Sequence, residues 1–197
     1  MGKRLVVLAS GSGSNAQALL DRDDLGGQVV AVVADVPGAG VLDRARDAGV
    51  EAVCVDRAPY DDRPAWEAAL IAAVAERRPD LVVLAGFMRI LSGEFVRRWP
   101  ILNVHPSLLP SFPGAHAVRD AIEHGVKVTG VTVHFVVEEV DAGPIVAQEA
   151  VAVTPDDTVE SLHERLKTVE HRLLPDSVAL FCADRLEVSG RQVRITT

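Results

Sequence analysis

The first 105 residues carry five short runs, at 5–9, 29–34, 52–55, 81–85 and 101–104, that are apolar at nearly every position rather than at every second one. Strands that face solvent on one side alternate in polarity. Continuous Val, Leu, Ile and Ala runs fit strands covered on both faces, as in a parallel sheet with helices above and below it. The intervening segments can supply those helices. Residues 15–21 and 39–48 read as helical, and 64–77 places Trp66, Leu70, Ala73 and Val74 at helical spacing. The order is therefore βαβαβ and mainly parallel.

Beyond residue 125 the pattern changes. Runs 128–137 and 145–153 flank Asp141-Ala142-Gly143-Pro144, whose composition predicts a turn joining two strands of a ribbon. A last helix follows, with Val159, Leu162, Leu166, Val169 and Leu173 as its apolar stripe, and 186–188 with 193–195 predict a terminal hairpin around Ser189-Gly190. The fold class expected is α/β: a mainly parallel, doubly wound (Rossmann-like) sheet with helices on both faces, then a β-ribbon and a helix. Residues 1–197 are expected to form a single domain, with a nucleotide- or phosphate-binding half at 1–100 and a catalytic and cofactor-binding half at 101–197.

Composition narrows the function. Apolar residues at 48% and charged residues at 24% set aside disordered, collagen-like and disulfide-scaffold chains. A net charge of −8 repels nucleic acid and anionic lipid, so neither is expected as a partner, and any anionic ligand must be held locally. Cys54 and Cys182 form no CxxC pair and suggest reduced thiols. Lys3 and Arg4 precede an apolar run too short for a signal-peptide core, and no run reaches membrane-spanning length, so a cytoplasmic protein is expected.

Three segments carry chemistry. Ser10-Gly11-Ser12-Gly13-Ser14-Asn15-Ala16 lies between the first strand and the first helix, where glycines let the backbone approach a phosphate and Ser and Asn side chains add donors. The same residues satisfy G-x-G-x-x-G/A, with Asp35 closing the second strand, so a nicotinamide oxidoreductase stays open at this point. The second segment, 103–114, begins at a strand end and contains Pro106, Pro110 and Pro113. Strand alternation sends Asn103 and His105 to one side, an amide donor beside an imidazole at the end of a strand where open α/β sheets bind ligands. The third is Asp141, a natural turn former that acquires chemical meaning only if it folds back on His105, where a carboxylate favours the charged imidazole. His105, His116, His134 and Asp141 have the residue types of a two-His, one-carboxylate site, but the close ligand spacing of such sites is missing and no metal is expected.

In this order the segments resemble the phosphoribosylglycinamide (glycinamide ribonucleotide) formyltransferases, folate-dependent enzymes of purine synthesis. The resemblance spans essentially the whole chain. It rests on the 11–15 loop, Ala85-Gly86-Phe87-Met88-Arg89-Ile90-Leu91, the 103–114 segment, Val133-His134-Phe135, Asp141-Ala142-Gly143-Pro144 and Glu170-His171. It implies that Asn103, His105 and Asp141 are catalytic. It also implies that Gly13, Ser14, Asn15 and Glu170 contact the ribonucleotide, and that Arg63, Met88, Arg89, Ile90, Leu91, Asn103, Val137, Glu138, Glu139, Val140 and Asp141 line the formyl-folate pocket. Ser12 stands where many members carry Asn, and Val131-Thr132 where Thr-Ser is common. The co-substrate implied is 10-formyltetrahydrofolate, with small-molecule substrates as the partners and monomer or homodimer both open. A formyl-folate hydrolase shares the Asn, His and Asp set and is the rival within the resemblance; a phosphosugar- or folate-binding module without turnover is the rival outside enzymes.

Overall fold

The computed structural model describes residues 2–196. The chain divides into two compact units, Met1–Leu102 and Asn103–Thr197.

In the first unit β1 (Lys3–Ala9), α1 (Ser14–Leu20), β2 (Gly27–Ala34), α2 (Gly40–Asp47), β3 (Glu51–Cys54), α3 (Arg63–Glu76), β4 (Leu81–Leu84) and a single turn, α4 (Gly93–Val96), follow one another. The strands lie in the order β3-β2-β1-β4. β1 pairs in parallel with both β2 and β4, and β2 with β3. Right-handed crossovers then send α1 and α2 to one face and α3 to the other, because the chain reverses its direction of travel across the sheet between β3 and β4. Residues 5–9 of β1 are fully buried, as strands covered on both faces must be. α3 begins where Asp62 accepts the Ala65 N–H at 2.8 Å, with Pro64 in its first turn, and it buries Trp66, Leu70 and Val74. The Trp66 indole N–H donates to the Val55 carbonyl at 2.8 Å, so its polar edge is satisfied inside the core.

β5 (Ile101–His105) starts in the last two residues of the first unit and continues into the second. There follow α5 (Ala117–Glu123), β6 (Val128–Phe135), β7 (Ile145–Ala152), the 24-residue α6 (Val159–Cys182), β8 (Leu186–Ser189) and β9 (Gln192–Ile195). Strand order is β5-β6-β7, and β6 and β7 are antiparallel with a bulge between Val133 and His134. α6 opens with a reciprocal Thr158–Ser161 capping box and lays Leu162, Leu166, Leu174 and Val178 across β6 and β7.

Several boundaries differ from those expected. The β6 strand stops at Phe135 rather than 137, because the Phe135 N–H turns to the Pro144 carbonyl at 2.9 Å. Residues 136–144 are therefore a nine-residue connection, not a tight turn. α6 runs nine residues past Leu173 and carries Pro175 within it. The terminal hairpin turns at Gly190-Arg191, one residue later than expected, with Gly190 at φ +59°. α4 and α5 have no counterpart in the expected scheme, being too short to display an apolar period.

Candidate active site

In the first unit the glycine-rich loop leaves β1 beside the segment that leaves β4, at the point where the strand order reverses and open α/β sheets receive ligands. The Ser10 N–H donates to the Gly86 carbonyl at 3.0 Å, and the Met88 N–H donates to the Ser10 hydroxyl at 2.9 Å, tying the two segments together. Gly13 sits at φ +79°, and a Cβ there would lie 2.5 Å from the Val41 side chain, so glycine is required on two counts. The Arg44 guanidinium donates to the Ser12 carbonyl at 2.8 Å and to Gln17 Oε1 at 3.1 Å, which fixes the loop from the α2 side.

Arg63, Met88, Arg89, Ile90 and Leu91 also fall in this unit. Arg63 donates to the Ile90 carbonyl. Met88 and Ile90 are exposed at 71% and 61%, whereas Leu91 is buried. The Asp35 side chain is fully buried and faces Arg89 Nε at 2.6 Å, while the Arg89 side chain as a whole stays 43% exposed. A ribose-binding acid must offer its carboxylate to a ligand; here the carboxylate is turned onto Arg89, with its second oxygen buried and without a hydrogen-bond partner.

The second unit brings Asn103, His105 and Asp141 together and adds His134 to them. His105 Nε2–H donates to the Phe112 carbonyl at 2.8 Å, which leaves Nδ1 facing Asp141 Oδ2 at 3.5 Å. That separation is long for a hydrogen bond but short for two charges. His134 Nδ1–H donates to the Phe135 carbonyl at 2.9 Å, so in the neutral ring Nε2 carries the lone pair and accepts from the Asn103 amide at 3.1 Å. The same Nε2 lies 3.6 Å from Asp141 Oδ1, to which it can donate only in the protonated ring. The Gly114 N–H donates to Asp141 Oδ2 at 2.7 Å. Burial pushes the Asp141 carboxyl upward, but hydrogen bonding from His134 and Gly114 and the charge of the two imidazoles outweigh it and hold the group below its ordinary value.

The local sequence explains this convergence. Ser107 and Leu109 are held by Thr132 and Gln148: the Leu109 N–H donates to Thr132 Oγ1 at 3.1 Å, Thr132 Oγ1 donates to the Ser107 carbonyl at 2.7 Å, and Gln148 donates to the Leu109 carbonyl at 2.9 Å. The bulge at Val133/His134 re-aims the His134 ring. Asp141 itself lies at φ +53°, in the left-handed region that Asp and Asn tolerate better than other side chains. Gly143 follows because a Cβ there would come 1.7 Å from the Phe135 carbonyl oxygen. Val137, Glu138, Glu139 and Val140 line the exposed part of the same connection. Glu170 is buried on α6, next to His171.

Sequence reasoning placed His134 only among metal-ligand types and motif residues, and it missed the Phe112 carbonyl and the Gly114 N–H altogether. The signal for His134 was available: Thr132 and His134 are polar side chains at alternate positions of a mostly apolar strand that also buries Thr129, both completely or almost completely buried. Main-chain partners leave no such mark. Among the described residues no group of three His, Cys, Asp or Glu is arranged to hold a metal ion, and no helix is long and apolar enough to cross a membrane.

Residues 3–178 match the family described as Formyl transferase, a span that ends before the β8–β9 hairpin. The phosphoribosylglycinamide formyltransferase of Mycobacterium tuberculosis is 48% identical over 192 residues, covering 95% of this chain and 89% of the relative. The trifunctional purine biosynthetic protein adenosine-3 of Bos taurus is 46% identical over 200 residues, but the chain spans only 20% of that relative's length. Among solved structures, glycinamide ribonucleotide transformylase 1 from Symbiobacterium toebii superposes with a TM-score of 0.96 at 49% identity, covering all of this chain and 95% of the other. With the match extending over most of its length and the likeness in fold over all of it, the chain belongs to the formyl transferase family, among the phosphoribosylglycinamide formyltransferases.

Proposed function

We propose that the protein transfers the formyl group of 10-formyltetrahydrofolate to the primary amine of glycinamide ribonucleotide in purine biosynthesis. The observation that carries this reading is the buried approach of His105 to Asp141, 3.5 Å apart beside the Asn103 amide, in a chain of this family.

In this reading the uncharged amine attacks the formyl carbon directly. A new C–N bond forms, the formyl oxygen takes negative charge, and collapse breaks the bond to the folate nitrogen, which gains the proton that the amine loses. Two donors meet the oxyanion. Asn103 Nδ2 carries two hydrogens; one goes to His134, and the second remains for the substrate. His105 Nε2–H is committed to the Phe112 carbonyl, so the charged ring presents Nδ1–H. Such pre-arranged donors each contribute a factor of about 10² to 10³. Asp141, ionised at neutral pH, faces His105 Nδ1 at 3.5 Å and relays the amine proton through water. No acyl-enzyme forms, and the donor set is one that needs no metal.

Gly13, Ser14 and Asn15 hold the ribonucleotide phosphate, and Glu170 contacts the ribonucleotide. In the first unit, exposed Met88 and Ile90 offer an apolar surface to the flat folate ring, with Arg63, Arg89 and Leu91 as further folate contacts; in the second unit, Val137 to Asp141 are the residues assigned to the folate. The protein acts in the cytoplasm on small molecules.

The deciding assay follows loss of 10-formyltetrahydrofolate with and without glycinamide ribonucleotide, in the presence of a chelator. Deformylation that requires the ribonucleotide and ignores the chelator supports the transferase. Deformylation without an acceptor turns the reading to a hydrolase. Silence with both substrates overturns it, and a nicotinamide titration then tests the oxidoreductase alternative.

A further inference from the structure

Asp141 projects from a connection whose main chain is held at separate points. Its carboxylate accepts from Gly114, and Gly143 packs without a side chain against the Phe135 carbonyl. Between them, the Ala142 N–H reaches the Glu139 carbonyl only at 3.4 Å, a long contact. The Ala142 carbonyl, by contrast, accepts from the Arg191 guanidinium at 3.0 Å. Arg191 is half of the two-residue Gly190-Arg191 turn of the β8–β9 hairpin, and it comes from 49 residues farther along the chain.

The hairpin is built to hold that position. An isolated two-stranded ribbon is marginal in water. This one is closed at its base by Arg185 and Thr196, with the Thr196 N–H donating to the Arg185 carbonyl at 2.9 Å and Arg185 Nε donating back at 2.6 Å. The Arg185 N–H is in turn fixed to the Leu180 carbonyl of α6 at 3.0 Å, and β9 packs against β7. Glycine at φ +59° lets the chain reverse so that the next side chain, Arg191, extends toward residue 142. The hairpin also lies beyond the span that matches the formyl transferase family.

We infer that Arg191 is a positioning residue for the reaction: the terminal hairpin braces the 139–143 connection through the Ala142 carbonyl and so sets where the Asp141 carboxylate stands relative to His105. This rests on the proposed role of Asp141. An arginine suits the task because its planar fork can hold a carbonyl while its stem lies along the surface. The brace acts on placement, so it affects turnover rather than substrate binding.

The test uses the full chain. Arg191→Ala is expected to lower kcat about fivefold, the fold-change equivalent to one net hydrogen bond if the lost brace is felt fully in the placement of Asp141. KM for the ribonucleotide should stay within about twofold, because uniform binding is untouched. Amide exchange at 139–143 should accelerate while the melting temperature is held, and Arg191→Lys should restore most of both readouts. Wild-type exchange at 139–143 in Arg191→Ala overturns the brace, whatever kcat does, and an unchanged kcat alongside faster exchange overturns the positioning role. Asp141→Asn serves as the control: if that variant turns over normally, the proposed function of Asp141 fails, while the exchange measurement still decides whether Arg191 holds the connection.

Discussion

Replacing Asp141 by Asn keeps the shape of the side chain and removes its charge. Its oxygen can still accept from Gly114 at the Oδ2 position, 2.7 Å from that N–H, so the connection keeps one of its holds. The new amide NH2 then points at His134 Nε2, 3.6 Å away, and competes with Asn103 for the same lone pair. The larger loss is electrostatic. At 3.5 Å, two unit charges attract by about 1 kcal/mol in water and about 5 kcal/mol at the effective dielectric of 20 suited to sites like this. A middle value of about 3 kcal/mol corresponds to a fall of roughly 10² in kcat/KM. Steady-state loss of formyl-folate measures it, and a variant keeping more than a third of wild-type kcat/KM would refute the argument. Stability gives a second readout. The Asp141 carboxyl is held below its ordinary value of 3.8, so the stability it contributes is fully present above that pH and is lost as the pH falls through the native value. Urea melts of the two proteins should therefore differ at pH 7 and converge in acid. A constant difference from pH 7 down to pH 2 would mean that the carboxylate is not held by its charge.

Other substitutions probe separate links. His105→Ala removes the donor on Nδ1 and should cost about 10² to 10³ in kcat with the fold kept, as judged by circular dichroism; a loss below tenfold counts against the oxyanion role. Gly143→Ala places a methyl 1.7 Å from the Phe135 carbonyl oxygen, and backbone must move, so the urea midpoint should fall by an amount equivalent to about 3 kcal/mol. An unshifted midpoint would mean that the connection relaxes freely. Asp35→Ala frees the half-exposed Arg89 guanidinium and should raise KM for formyl-folate by about fivefold with kcat retained, since the lost hydrogen bond to a charged group is discounted for solvent. A fall in kcat at constant KM would place Arg89 elsewhere in the reaction.

The parallel half of the fold was legible because its strands declared themselves by nearly continuous apolar runs, including β3, which is only partly buried, and because the spacing of Trp66, Leu70, Ala73 and Val74 marked α3. The ribbon was half legible. Asp141-Ala142-Gly143-Pro144 does bend the chain, yet Val136 and Val137 have strand propensity and drew the expected strand two residues too far; a single tertiary contact, Phe135 N–H to the Pro144 carbonyl, decides the boundary. The ends of α6 and the hairpin depended on packing that no window of sequence contains. For the site, residue types named Asn103, His105 and Asp141, but the 35 residues between His105 and Asp141 hide their approach. What completes the cluster is the Phe112 carbonyl and the Gly114 N–H, groups every residue carries and therefore no sequence advertises. Asp35 misled for the opposite reason. Its place at the end of β2 suits a ribose contact, while its actual partner is an arginine 54 positions away.

The ties that hold the 107–114 segment, from Thr132 and Gln148 at residues 107 and 109, from His105 at 112 and from Asp141 at 114, have a thermodynamic consequence. A free segment of eight residues would surrender roughly 1 kcal/mol of conformational freedom per residue when a ligand ordered it, on the order of 8 kcal/mol in all. A micromolar ligand has only about 8 kcal/mol of affinity in total. Had this stretch been loose, binding would have been consumed in arranging it; because folding has already arranged it, the interaction energy of the substrates is left for the reacting atoms. Calorimetry should accordingly find a binding entropy without the large penalty that ordering a loop of this length would impose.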